Sequence, residues 1–192
     1  MPIPEHIMTP EEFLAAAERG GVVLDVRAPG EHAAGHLPGA VSFPLFTDEE
    51  RARVGTAYKQ ESKQVAVDLG LELVGPKLRD MAARARALFE AQETRTPLLV
   101  HCWRGGMRSG SVDWLLRTAE VPVARCDGGY KACRAVLRDA FQAPRPYVVL
   151  GGMTGTAKTD VIHALTAQKE RTLDLEGMAR HFGSSFGNLD AH

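Results

Sequence analysis

The sequence predicts an α/β fold: a central parallel sheet flanked by helices, followed by the beginning of a second α/β unit. Three observations carry this reading. Short, continuously apolar runs at 22–26, 97–100 and 121–124 alternate with stretches of helical periodicity, the pattern of strands buried on both faces of a parallel sheet. The run at 97–100 leads directly into His101-Cys102-Trp103-Arg104-Gly105-Gly106-Met107-Arg108-Ser109 and then into a helical pattern, Val112, Leu115, Leu116 and Ala119. A second strand–loop–helix pattern begins at Tyr147.

Taken in order, Thr9-Pro10-Glu11-Glu12 opens the first helix, with Thr9 as cap, Pro10 in the first turn and Glu12 reaching back. Phe13, Leu14 and Ala17 form its apolar side, and Gly20-Gly21 stop it. Residues 22–26 are the first buried strand. The glycines and prolines of 27–40 mark tight turns before a short strand at 41–43. Thr47-Asp48-Glu49-Glu50 is a second capping box and starts a helical stretch running to Gln60. Pro76 starts a clearer helix, with Leu78, Met81, Ala85, Leu88 and Phe89 at helical spacing. Its Lys77, Arg79, Arg84 and Arg86 are read as a solvated face. The strand at 121–124 ends in Arg125-Cys126-Asp127-Gly128-Gly129, and Tyr130, Cys133, Val136, Leu137 and Ala140 mark the helix after it. Cys126 and Cys133 are read as small core residues; the alternative is a resolving thiol for Cys102.

The cysteine loop is where chemistry concentrates. In a parallel α/β sheet the carboxyl edge of the strands is the ligand-binding edge. Gly105 and Gly106 let successive N–H groups turn toward one anion, and the helix that follows adds its positive N-terminal end. A thiol ordinarily titrates near ~8.5, and such settings lower it to roughly 3.5–7.5. Cys102 is therefore the candidate catalytic nucleophile, and Trp103, Arg104, Gly105, Gly106, Met107 and Arg108 the candidate anion- and substrate-binding loop. The competing reading, a core thiol that ends a strand, does not call for two glycines and two arginines beside it.

Gln142-Ala143-Pro144-Arg145-Pro146 reads as a linker, 147–150 as a strand, and Val161, Ile162 and Leu165 as a helix. Between them Gly151-Gly152-Met153-Thr154-Gly155-Thr156-Ala157-Lys158-Thr159 has the spacing of a phosphate-binding P-loop, with Gly152, Gly155, Lys158 and Thr159 as candidate phosphate residues. Ala157 stands where that motif has glycine, and its methyl group restricts the backbone and crowds a phosphate. Leu173-Asp174-Leu175-Glu176 is read as a further strand. The expected organisation is a first domain over 1–141, a linker over 142–146, and a partial P-loop domain over 147–192, since nucleotide-binding α/β domains normally exceed ~100 residues. Its strand is expected to dock on the first domain or to pair with another copy, because an uncovered apolar edge associates.

Composition narrows the classes. The chain has 192 residues, 44% of them hydrophobic, and a formal net charge of −1, which gives no global sign of nucleic-acid or membrane binding. Three cysteines without a close-spaced pair argue against a disulfide framework and against a metal site, and they fit a cytoplasmic protein. No apolar signal core opens the chain, and no stretch approaches the ~18–20 apolar residues of a membrane span.

Asp25-Val26-Arg27, Glu31, Gly35-His36-Leu37-Pro38-Gly39-Ala40 and Pro44 closely resemble the N-terminal signature of rhodanese domains, and a cysteine loop after a later strand is that family's second element. The resemblance implies a rhodanese-like domain whose Cys102 carries a persulfide during sulfur transfer. Asp25, Arg27, Glu31 and His36 are read beside it as residues that tie loops together. The insertion across 54–75, Gly128-Gly129-Tyr130-Lys131-Ala132 and Arg180-His181-Phe182-Gly183-Ser184-Ser185-Phe186-Gly187 resemble tRNA 2-selenouridine synthases, which carry a rhodanese domain followed by a P-loop domain. That resemblance implies a transferase acting on the wobble uridine of tRNA. There, 2-thiouridine is S-geranylated from geranyl diphosphate and the geranylthio group is then replaced with selenium from selenophosphate. The implied partners are tRNA and a small anionic selenium or sulfur donor. Selenophosphate and geranyl diphosphate enter as co-substrates, with no tightly bound cofactor.

Two alternatives stand beside this. One is a single-domain rhodanese sulfurtransferase. The other is a rhodanese-fold phosphatase, because His101-Cys102, five residues and Arg108-Ser109 is also the spacing of cysteine-dependent phosphatases. A phosphatase needs an acid to protonate its leaving oxygen, and the loop contains none. A catalytically silent binding module is disfavoured by the presence of Cys102.

Overall fold

A computed structural model describes residues 5–142, 144, 146–153 and 155–179. The chain divides into two compact units, 1–143 and 144–192.

In the first unit β1 (Ile7–Met8), β2 (Val23–Asp25), β3 (Val41–Ser42), β4 (Leu98–His101) and β5 (Val123–Cys126) form one sheet in the order β1-β5-β4-β2-β3. Every neighbouring pair is parallel. Helices supply the crossovers that parallel pairing demands. α1 (Pro10–Glu18) starts at the expected Thr9–Glu12 capping box. α3 (Asp48–Gln60) starts at the Thr47–Glu50 box. α5 (Leu78–Glu90), α6 (Met107–Thr118) and α7 (Gly129–Gln142) follow the helical patterns read from the sequence.

In the first unit the structure adds a strand, two α-helices and a 3-10 turn, Gly75–Lys77, that leads into α5. β1 has two residues and too little pattern to be recognised before its pairing with β5 is seen. α2 (Pro29–Ala33) makes a helical turn in the stretch read only as turns. α4 (Lys63–Val74), capped by the Ser62 hydroxyl, turns the insertion into a helix that packs against α3.

Strand alternation splits the core between the two faces of the sheet. Leu24, Leu98 and Val100 pack on one face with Phe43, Met81, Val112 and Leu116. Val23, Leu99 and Ala124 pack on the other with Phe13, Cys126 and Cys133.

The basic residues of α5 and of the turn before it are not simply a solvated face. Lys77 pairs with Glu50. Arg84 donates to the Ser42 carbonyl at 2.8 Å and lies over the Phe43 ring, and Arg86 donates to the Ala119 carbonyl at 3.0 Å. These bonds tie α5 and its leading turn to α3, β3 and the end of α6.

The second unit contains α8 (Lys158–Ala167) and α9 (Leu175–Met178). The strand expected at 147–150 does not form among the described residues. A strand exists through its pairing, and Tyr147, Val148 and Val149 stand exposed, Val148 at 99%. The strand expected at 173–176 is corrected to the start of α9, which the Asp174 carboxylate caps by accepting from the Gly177 N–H at 2.9 Å. The segment from Arg180 to Gly187 lies outside the described residues. No described helix is long and apolar enough to cross a membrane.

Candidate active site

β4 is paired on both sides, by β2 and β5, and the Val26 N–H donates to the His101 carbonyl where the strand ends. Cys102 is the next residue, so the thiol sits at the carboxyl edge of an inner strand of the sheet. The loop after it is held from below through its carbonyls. Cys102 O accepts from the Tyr130 N–H at 2.8 Å and Trp103 O from the Lys131 N–H at 3.0 Å. Gly105 O accepts from the Arg125 guanidinium at 2.8 Å. The floor is so close that side chains do not fit at the contact. Gly105 and Gly129 both have positive φ, +67° and +59°. A Cβ on Gly129 would strike the Cys102 carbonyl and stand 2.5 Å from the Gly105 nitrogen.

With its carbonyls tied away, the loop turns N–H groups toward the sulfur. Burial pushes the Cys102 thiol up, but the Ser109 hydroxyl, the N–H groups of Ser109 and Arg104, and the positive charge of Arg108 outweigh it and hold the thiol below its ordinary range. Ser109 Oγ lies 3.3 Å from Cys102 Sγ and 3.1 Å from the Gly106 carbonyl, so Ser109 links both ends of the loop. Gly106 caps α6, and Met107 is its first residue.

Behind the loop is a buried polar cluster. Arg27 and Asp25 are fully buried and paired, with Arg27 Nη2 2.5 Å from Asp25 Oδ2 and Arg27 Nε 2.9 Å from Oδ1. Arg27 also donates to the Gly35 carbonyl at 2.8 Å. Its guanidinium lies 4.0 Å from the Tyr130 ring centroid and 5.9 Å from that of Trp103, which fixes the aromatic side of the loop. Burial pushes the Asp25 carboxyl up, but the Arg27 hydrogen bonds and the charges of His101 and Arg27 hold it down. Burial keeps the His101 imidazole below its ordinary range against the opposing pull of Asp25.

The two loop arginines differ. The Arg104 side chain is exposed. Arg108 is taken up by Glu31, Nη1 to Oε2 at 2.5 Å and Nη2 to Oε1 at 3.3 Å. Sequence reasoning assigned Glu31 to loop structure and left Ser109 outside the candidate set. The signals for both were the signature glutamate and the hydroxyl next to Arg108.

Cys126 and Cys133 pack on the opposite face of the sheet from Cys102, sulfur to sulfur at 3.3 Å. They are core residues in contact with each other. Their mutual hydrogen bond pushes Cys126 up and holds Cys133 down, so Cys102 is not alone in having a lowered thiol.

An apolar groove of about 520 Å³ opens beside the loop. Phe46, Tyr58 and Leu71 from the α3–α4 side and Met107, Ser111 and Trp114 from α6 line it, and Arg108 borders it.

In the second unit Gly152, Gly155, Lys158 and Thr159 stand around one tight loop at the start of α8. Lys158 Nζ and Thr156 Oγ1 both donate to the Met153 carbonyl, at 2.9 and 2.8 Å. Thr159 Oγ1 lies 3.4 Å from Glu176 Oε2. Ala157 occupies the left-handed region at φ 57°, ψ 27°, a conformation that costs a non-glycine residue roughly 1–2 kcal/mol.

Residues 9–135 match the family model of the rhodanese-like domain. The chain belongs to the rhodanese-like family. Residues 145–191 match the model of the tRNA 2-selenouridine synthase AAA domain, so the two models follow one another along this chain. The rhodanese-like unit is similar to the crystal structure of the N-terminal domain of a Clostridium difficile 630 protein named for ATP/GTP binding. The identity is 35%, the TM-score 0.63, and the match covers 68% of this chain and 98% of that one. Among curated proteins the chain is 44% identical over 168 residues to the tRNA 2-selenouridine synthase of Pseudomonas fluorescens Pf-5, and 45% identical over 171 residues to that of Cupriavidus necator H16. The matches cover 86% and 88% of this chain but 44% and 45% of those proteins, so the rhodanese-like chain spans less than half the length of these relatives.

Proposed function

We propose that this chain carries the cysteine-dependent half of a tRNA 2-selenouridine synthase, which exchanges sulfur for selenium at the wobble uridine of tRNA in the cytoplasm, with Cys102 as the nucleophile. The single observation that carries the reading is the Cys102 sulfur, lowered in pKa and ringed by the Ser109 hydroxyl and the N–H groups of Arg104 and Ser109 in a chain 44% identical to such a synthase. The donor is selenophosphate. The loop N–H groups and the exposed Arg104 hold its anionic part, and Trp103, Gly105, Gly106 and Met107 shape the mouth. The base arrives S-geranylated, and the groove lined by Leu71, Met107 and Trp114 has the size and apolar chemistry for a geranyl chain beside the nucleophile. Geranyl diphosphate belongs to the second unit, where Gly152, Gly155, Lys158 and Thr159 would meet its phosphates.

The phosphatase alternative has the Cys-x5-Arg spacing in its favour. Its missing element is the acid. Glu31 is the carboxyl group beside the loop arginine, and despite burial the hydrogen bond and charge of Arg108, the Ala28 N–H and Arg51 hold it ionised, so it has no proton to give a leaving oxygen at neutral pH.

The test first loads Cys102 of purified protein as a persulfide from thiosulfate, with sulfite leaving. It then supplies selenium-labelled selenophosphate, whose selenide displaces the outer sulfur as hydrosulfide while water takes the phosphoryl group as phosphate; a separate sample receives an aryl phosphate. Label retained on the Cys102 peptide, absent in Cys102→Ser, with little aryl phosphate hydrolysis, is the expected result. Robust phosphatase turnover that Cys102→Ser abolishes would overturn the proposal.

A further inference from the structure

Glu31 and Arg108 lie 77 positions apart in sequence and meet beside the nucleophile. Both guanidinium Nη atoms of Arg108 are engaged by the two oxygens of one carboxylate, at 2.5 and 3.3 Å. The same Oε2 accepts the Ala28 N–H at 3.1 Å and lies 3.3 Å from Arg51 Nε. Glu31 and Arg108 are about one-fifth exposed, 18% and 23%, so the pair is neither free in solvent nor sealed in the core.

An arginine binds a phosphoryl group best as a fork, two N–H donors to two oxygens. At this loop both arms of the fork are already occupied by a carboxylate. An anion at Cys102 then meets backbone N–H groups and the exposed Arg104, without a second guanidinium clamped across it.

We propose that Glu31 is a specificity-determining residue of the Cys102 loop. By occupying Arg108 it denies phosphoryl groups a bidentate clamp, so that inorganic phosphate and phosphate monoesters do not block the thiolate. This rests on the reading of Cys102 as a nucleophile in an anion-binding loop. Specificity here comes from weakening the competitor's complex. Arg51 extends the pair onto α3, so the helix that walls the groove is joined by charge to the loop.

The experiment measures how inorganic phosphate protects Cys102 of the full chain from iodoacetamide, read by peptide mass spectrometry across pH. Glu31→Gln keeps an acceptor for the Ala28 N–H but releases Arg108. It should reach half-protection at a phosphate concentration at least tenfold lower than wild type. Its Cys102 alkylation profile should also move to lower pH, because a negative charge near the thiolate is gone. Glu31→Gln/Arg108→Gln should lose the gain in protection. Unchanged half-protection in Glu31→Gln, or a gain that survives in the double variant, would overturn the proposal. If Glu31→Gln lacks a cooperative thermal transition, Glu31→Asp carries the test with its shortened reach: an intermediate gain supports the proposal and none overturns it. A gain in Glu31→Gln alongside a wild-type Cys102 that takes no selenium label would sink the proposed reaction while leaving this role of Glu31 standing.

Discussion

Cys102 and Ser109 meet across the start of α6, sulfur to hydroxyl oxygen at 3.3 Å. One residue directly follows β4 and the other lies in the first turn of α6, so the contact closes the loop between them. The Ser109 hydroxyl and N–H lead the influences that lower the thiol against its burial. Ser109→Ala should therefore move the pH profile of Cys102 alkylation to higher pH while leaving the thermal transition nearly in place. In the native wild-type protein Cys102 should react first. Labelling of Cys126 or Cys133 ahead of it at pH 6 would refute the assignment of the nucleophile.

Gly129 is predicted to be irreplaceable even by alanine. A methyl group there would run into the Cys102 carbonyl and the Gly105 nitrogen, backbone atoms that cannot step aside, at a φ that alanine resists. Gly129→Ala should cost about 1–3 kcal/mol in chemical denaturation and slow Cys102 alkylation as well. Gly39→Ala, with a positive φ but nothing within 4 Å, should cost less and leave Cys102 untouched. Equal losses in the two variants would contradict the close-floor argument.

The buried cluster behind the loop predicts how stability depends on pH. His101 is held below its ordinary range, so between that lower value and ~6.5 the unfolded chain binds a proton the folded chain refuses. Stability is complete above ~6.5 and falls as pH falls through that window. Asp25 is also lowered, so its contribution is present above ~3.9 and is lost as pH drops through its folded value. Denaturation midpoints at pH 7.5 and 5.5 should differ, with the lower stability at 5.5, and His101→Gln should flatten that difference. Asp25→Asn should remove about 3–5 kcal/mol, since Arg27 would be left charged and buried without its partner.

The second unit is predicted to bind ATP, GTP or geranyl diphosphate weakly in this chain. Residues 147–150 make no strand to brace the loop, and Ala157 sits in the left-handed region. Ala157→Gly relieves that strain and should strengthen whatever binding calorimetry with magnesium detects. A micromolar site in the unaltered chain, abolished by Lys158→Ala, would contradict this expectation.

Local chemistry was enough to place much of the first unit. The two capping boxes, the buried apolar runs and the helical spacing of Leu78 through Phe89 all act over a few residues, and α1, α3, α5 and the inner strands form where those signals stand. The glycines of the cysteine loop were legible for the same reason, because a tight turn is a local demand. Pairing over distance was not legible. β1 exists only through β5, and residues 147–150, equally apolar, stay single because no described strand pairs with them. The sequence also placed Arg108 among the anion-binding residues of the loop and Glu31 among structural residues, and it read Cys126 and Cys133 as core residues with a resolving thiol as the alternative. Only the fold, by bringing α2 against the start of α6 and by alternating side chains across the sheet, decided that Glu31 holds Arg108 and that the cysteine pair faces away from Cys102. Both outcomes depend on which side of a strand or helix a group projects from once distant segments are packed together, and that is a property of the assembled sheet.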